Sequence, residues 1–249
     1  MAGAVGEGGT AQTKTGRRTL IAPRHPLTLV TRESRPLTLT ASNSCLLLQD
    51  VHAPFTDPEH GWLARRVARK VLTREFEEYF ELLAVISGNI PKVLGAARRM
   101  EMGVVYASLG YRDDDVSEFQ RATGWLWDLG GGDGGYLPAW EPLEHELVLP
   151  KPGWSALSNP AFASYLAENG LTNVVVLGAM LEFGINQTCL ELSDRGIGSL
   201  VVSDAVAALT RAGQDYMSAN IAHGLIKLRT TGEVLDLFDV VEKQGAVLI

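Results

Sequence analysis

The chain is poor in cysteine. Its 249 residues contain Cys45 and Cys189 and no others. Two cysteines do not make a disulfide framework in a chain of this length, so a reducing compartment is expected. Basic excess is also missing. The net charge is −7 and the pI about 5.3. A nucleic-acid binder would carry a basic face. The densest basic groups are Arg17-Arg18 and the cluster Arg65, Arg66, Arg69 and Lys70, and the second reads as the solvated face of a helix. No run approaches 18 consecutive apolar residues, so no membrane span is expected. The N-terminus lacks a basic start followed by an apolar core, so a secretory signal is not read there and a cytoplasmic protein is expected. Neither GxGxxG nor a P-loop occurs, and the glycines of 130–135 do not fit a phosphate loop.

What the sequence does contain is a series of short apolar runs. They lie at 45–50, 103–108, 173–178 and 199–204, with shorter ones at 146–150 and 224–228. Continuous apolar runs of this length read as strands buried on both faces, as in a parallel sheet. Helical patterns fall between them. Arg74 to Arg99 carries Phe76, Tyr79, Phe80 and Leu83 at helical spacing, with Gly88 as an expected interruption. Asn159 can cap a helix that has Pro160 at its first position and stops at Gly170. Further helices are expected over Ile185–Arg195 and Gln214–His223. Strands alternating with helices imply βαβ units, and ligands then sit beyond the carboxyl ends of the strands. Residues 1–18 read as a disordered leader, 19–43 as an extended segment, and 44–249 as one α/β domain.

Three segments carry chemistry together: LLLQDVHAPF (46–55), LPKPGWSAL (149–157) and VVVLGAMLEFGINQTCLELSDRGIGSLVVSDAVA (174–207). Their order and spacing resemble the isochorismatase-like hydrolase superfamily, the cysteine hydrolases. The tail TTGEVLDL (230–237) resembles that family's closing segment. The resemblance implies a three-layer α/β/α sandwich with a mostly parallel, Rossmann-like sheet, a small-molecule substrate, no cofactor, and a homo-oligomer (dimer or tetramer). It also implies a non-proline cis peptide at Met180–Leu181.

In that family Asp, Lys and Cys form a catalytic triad. The resemblance puts the Asp on Asp50 and the Lys on Lys151. The Cys position falls six residues after Gly178 and twelve before Gly196, which is Gly184. The family's Thr position is Leu181. True isochorismatases also carry Gly in place of the nucleophile, and they cleave a vinyl ether by acid–base chemistry. Three departures mark an altered pocket: the family's Gln after the Asp is His52, a second Gln falls near Leu109, and the isochorismatase His is Glu182. The zinc-binding Asp-x-His…His pattern of nicotinamidases is absent from Tyr111–Asp115, so no metal is expected.

Each of these residues also has a plain reading. Cys189 falls on one helix face with Ile185 and Leu192, which suits a core residue. Asp50 could cap a turn. Glu182 is a general base for water or a helix-start charge. His52 is a pocket residue or a hydrogen-bonded structural one. Phe55, Trp125, Trp127, Trp154 and Phe183 line a pocket or belong to the core. Three functions follow. The first is a cofactor-independent hydrolase working through Asp50 and Lys151 on an isochorismate-like vinyl ether. The second is a C–N hydrolase in which Glu182 activates water. The third is a pseudoenzyme that binds a small molecule or a partner protein.

Overall fold

The computed structural model describes residues 35–57, 75–132 and 134–249. The 1–18 leader, most of the 19–43 segment and the basic cluster at 65–70 lie outside the described residues. In chain order the elements are β1 (Thr38–Leu39), β2 (Ser44–Gln49), α1 (Ala53–Thr56), α2 (Glu75–Arg99), β3 (Gly103–Leu109), α3 (Glu118–Thr123) and β4 (Leu147–Lys151). Then come α4 (Pro160–Glu168), β5 (Asn173–Ala179), a π turn (Leu181–Ile185), α5 (Asn186–Asp194) and β6 (Gly198–Ala207). The chain closes with α6 (Arg211–Asn220), β7 (Ile226–Arg229), α7 (Thr231–Gln244) and β8 (Val247–Leu248).

Six strands form one sheet in the order β4-β3-β2-β5-β6-β7, and every pair in it is parallel. β1 and β8 pair antiparallel in a separate two-stranded sheet. The apolar runs form the strands because both faces of the main sheet are covered. Leu46, Leu48, Tyr106, Leu177 and Val202 pack on one side with residues of α2 and α7. Cys45, Leu47, Val105, Val176 and Val201 pack on the other with residues of α4 and α5. The three-layer α/β/α sandwich is therefore observed.

Helix α2 corrects one expectation, the interruption at Gly88. It runs unbroken through Gly88 and Pro91, because burial of Tyr79, Leu83, Ile86, Ile90, Val93 and Leu94 outweighs the local cost of a glycine and a proline. Among the described residues, Phe76–Arg99 is also long and apolar enough to cross a membrane by length and composition. Here its apolar stripe lies in the protein core. At α6 the observed helix starts at Arg211, where Thr210 Oγ1 accepts from Gly213 N. The cap sets the boundary three residues earlier than the apolar pattern suggested.

The strand order reverses about β2: β3 and β4 lie on one side of it, β5 to β7 on the other. The carboxyl ends of β2 and β5 thus flank a topological switch point, where such sheets form crevices. Gly178 (φ 113°) sits at this point, and a Cβ there would overlap Gln49 O. Glycine is what lets β5 approach β2 so closely.

Candidate active site

Three strand ends meet at the switch point. Asp50 follows β2, Lys151 ends β4, and the π turn follows β5. β4 is two strands from β2, and the register Leu109↔Lys151 places the lysine level with the end of β3. Lys151 Nζ lies 2.9 Å from Asp50 Oδ2, with the lysine side chain fully buried and the aspartate side chain 6% exposed. The ammonium donates its other hydrogens to Gly153 O (3.0 Å) and Trp154 O (2.7 Å), so all three donors are used. Asp50 Oδ1 accepts from Leu109 N at 2.6 Å. Asp50 is itself in the left-handed region (φ 51°), which Asp tolerates better than most residues and which recurs at functional sites.

Burial drives the electrostatics. It pushes the Asp50 carboxyl above the ordinary aspartate range, against the pull of Lys151, Leu109 N and Gln49. Burial likewise lowers Lys151, with Asp50 acting in the opposite direction. Desolvation thus outweighs pairing at both partners.

Gly184 lies over this pair. A Cβ built on it would fall 3.4 Å from Asp50 Oδ2 and 3.0 Å from Trp154 O, and would overlap Gln49 Nε2. Leu181 is fully buried beside it in the π turn. The cis peptide is Ala179–Met180. This corrects the expected Met180–Leu181 by one residue: the bond directly follows β5, which extends through Ala179.

Glu182 is tied away from the pair. Its Oε1 accepts from Leu209 N at 2.7 Å, in the loop that leads into α6. Its Oε2 is buried without a hydrogen-bond partner among the described residues, and burial raises its pKa.

His52 is fully buried. Neither ring nitrogen has a hydrogen-bond partner among the described residues. Burial first, and then the charge of Lys151, push its pKa down to about 3. The imidazole meets Phe55 and Trp127 edge-on, with centroids 5.2 and 6.2 Å away. From there a run of ring contacts passes through Trp127–Trp125 and Trp125–Trp154 to Trp154–Phe183, which stack at 5.0 Å and 20°. The aromatic residues thus form one continuous wall from His52 to the turn that carries Gly184.

The cysteines lie elsewhere. Cys45 and Cys189 are free and buried, both in the core layer under α4 and α5. Burial pushes each thiol up to about 12. Among the described residues, no group of three or more His, Cys, Asp or Glu side chains gathers as a metal would require.

Two contributors were not visible in the sequence. Gln49 holds part of the Asp50 carboxyl's surroundings, and the Leu109 amide holds Asp50 Oδ1. A residue inside an apolar strand gives no sign of either role. The signal that could have pointed to Gln49 is its polarity at a position buried in the sheet.

A parallel sheet with an Asp–Lys pair at its switch point, and a turn after β5 closing over it, defines a three-layer α/β protein with a candidate site beyond the carboxyl ends of its strands. The family model for the isochorismatase domain matches residues 44–233, and the chain belongs to that family. Solved structures share the fold. A cysteine hydrolase from Pseudomonas syringae pv. phaseolicola 1448A superposes with a TM-score of 0.69 at 18% identity, over 84% of this chain and 98% of that one. An isochorismatase from Pseudomonas putida KT2440 gives 0.55 at 19% identity, over 84% and 96%. N-carbamoylsarcosine amidase from Thermoplasma acidophilum gives 0.55 at 23% identity, over 76% and 96%.

Proposed function

We propose that this isochorismatase-family chain is a cofactor-independent hydrolase in which Asp50 and Lys151 carry out acid–base chemistry without a covalent cysteine intermediate. The observation that carries this reading is the buried Asp50–Lys151 pair beneath Gly184. Both cysteines are core residues with thiols held protonated, which is the wrong state for a nucleophile.

An isochorismate-like vinyl ether, or a related small metabolite, suits such a site. Asp50 delivers its proton to the terminal vinyl carbon. Water adds to the resulting oxocarbenium carbon and gives up a proton. The hemiketal then collapses to pyruvate and an alcohol. Burial raises the Asp50 pKa, which is the direction this chemistry asks of its acid. Lys151 orients it and stabilises the carboxylate left behind. The stacked pair Trp154 and Phe183 supplies an apolar face for the substrate, backed by Phe55 and His52, and Leu181 is buried in the turn.

A second reading rests on Glu182 Oε2, which is buried and unpartnered and could activate water against a C–N bond. Turnover separates the readings. Loss in Asp50→Asn supports the acid–base pair. Survival in Asp50→Asn with loss in Glu182→Gln selects the second. Ligand binding without turnover in the wild type selects a binding protein built on the old site. Cys189→Ser is expected to keep activity, and a folded but inactive Cys189→Ser variant would overturn the proposal.

A further inference from the structure

Gln49 is the last residue of β2, and alternation along the strand puts it on the face of Cys45 and Leu47, towards α4 and α5. It is fully buried, which for a primary amide is tolerable only with its hydrogen bonds made. They are made. Gln49 Oε1 accepts from Thr188 Oγ1 at 2.8 Å. Gln49 Nε2 donates to Trp154 O at 3.2 Å, and Gln49 acts on the Asp50 carboxyl to lower its pKa against burial. Thr188 is fixed in turn, because its Oγ1 accepts from Ala156 N at 2.9 Å and lies 2.8 Å from Gly184 O. Trp154 O is the carbonyl that Lys151 Nζ also reaches. One connected circuit therefore runs from Thr188 through Gln49 and Trp154 O to Lys151 and Asp50.

The amide occupies a particular volume. A Cβ at 184 would overlap Gln49 Nε2 and would also press on Trp154 O at 3.0 Å. The overlap is with the end of a side chain that Thr188 and Trp154 hold in place, so it cannot be relieved without breaking those bonds.

We propose that Gln49 is the positioning residue of the Asp50 carboxyl, seated in a space that only glycine at 184 leaves open, so that positions 49 and 184 exclude each other's side chains. This deepens the hydrolase reading and rests on Asp50 being its acid. Asp50 Oδ1 is fixed by Leu109 N and Oδ2 by Lys151. Gln49 Nε2 stands on the side where a residue at 184 would otherwise stand, and through Trp154 O it is tied to the lysine that holds Oδ2. The chain thus has an uncharged hydrogen-bonding group over its carboxyl where a side chain at 184 would project.

Two measurements test this, and neither needs a substrate. The first is the thermal midpoint of Gly184→Ala alone and in a Gln49→Ala background. The expected result is a drop of several degrees in the first setting and little or none in the second. Equal drops in both would overturn the exclusion. The second is a carbon-13 NMR titration of the Asp50 side-chain carboxyl, assigned with Asp50→Asn, in wild type and in Gln49→Leu. Gln49→Met serves if the leucine variant does not fold. Loss of the Gln49 amide, which acts to lower the Asp50 pKa, is expected to move the Asp50 midpoint upward. An unchanged midpoint in a folded variant would overturn the positioning role. A protein that meets both expectations yet cleaves no vinyl ether keeps the positioning role and loses the hydrolase reading, so the two failures are distinct.

Discussion

Lys151 Nζ and Asp50 Oδ2 stand 2.9 Å apart with almost no contact with solvent, and the lysine spends its other two hydrogens on the backbone of its own loop. Removing one member leaves a buried charge without its partner, which typically costs about 3–5 kcal/mol. Lys151→Met and Asp50→Leu are each expected to lose stability of that order in urea unfolding. The double variant is expected to recover a large part of the loss. Strictly additive costs would show that the two groups do not act as a pair.

His52 gives a pH signature. Its pKa is held near 3 in the folded protein against an ordinary 6.5. Between those values the unfolded chain binds a proton that the native protein does not, so stability rises with pH across the window and is lost as pH falls through it. The slope from one such group is about 1.4 kcal/mol per pH unit. Asp50 works in the opposite sense. Its raised pKa keeps a proton on the native state, so its contribution falls as pH rises from the unfolded value of 3.8. Comparing wild type with His52→Leu between pH 4 and 6.5 isolates the imidazole. The variant is expected to lose one proton's worth of slope, and identical slopes would contradict the assignment.

The thiols are expected to be silent. With both cysteines buried and raised to about 12, Ellman's reagent is expected to label neither in the native protein and both in denaturant. Fast labelling of a native thiol would place a reactive cysteine at the surface and revive a nucleophilic mechanism.

Glu182 anchors the turn after β5 to the start of α6 through Leu209 N. Glu182→Gln preserves an acceptor there, whereas Glu182→Ala removes it, in the manner of losing a helix cap, at about 1–2 kcal/mol. Hydrogen exchange of the amides at 209–213 is the local readout. Faster exchange in Glu182→Ala than in Glu182→Gln is expected, and equal rates would show that the carboxylate does not hold this junction.

The sheet was legible because its strands are buried on both faces and so read as continuous apolar runs, from Cys45–Gln49 to Ser199–Val202. Asp50 and Lys151 were legible only through their spacing in three segments at once. α3 passed unnoticed because its six residues, Glu118–Thr123, hold no apolar periodicity, and its capping box of Ser117 and Gln120 carries the start alone. The unbroken passage of α2 through Gly88 was hidden because tertiary burial, not propensity, decides it. Gln49 was hidden for a different reason. Spacing along the chain cannot show that its amide fills the volume beside Gly184, since that meeting joins residues on β2 and on the turn after β5.

The most direct measurement is pyruvate release from isochorismate, and from 2-amino-2-deoxyisochorismate, by wild type and by folded Asp50→Asn side by side. Release by the wild type, with loss by a factor of about 100 or more in the variant, is the expected result for a buried carboxyl acting as the acid. Release that persists undiminished in Asp50→Asn, or no release by the wild type from either compound, would contradict the vinyl-ether mechanism through Asp50.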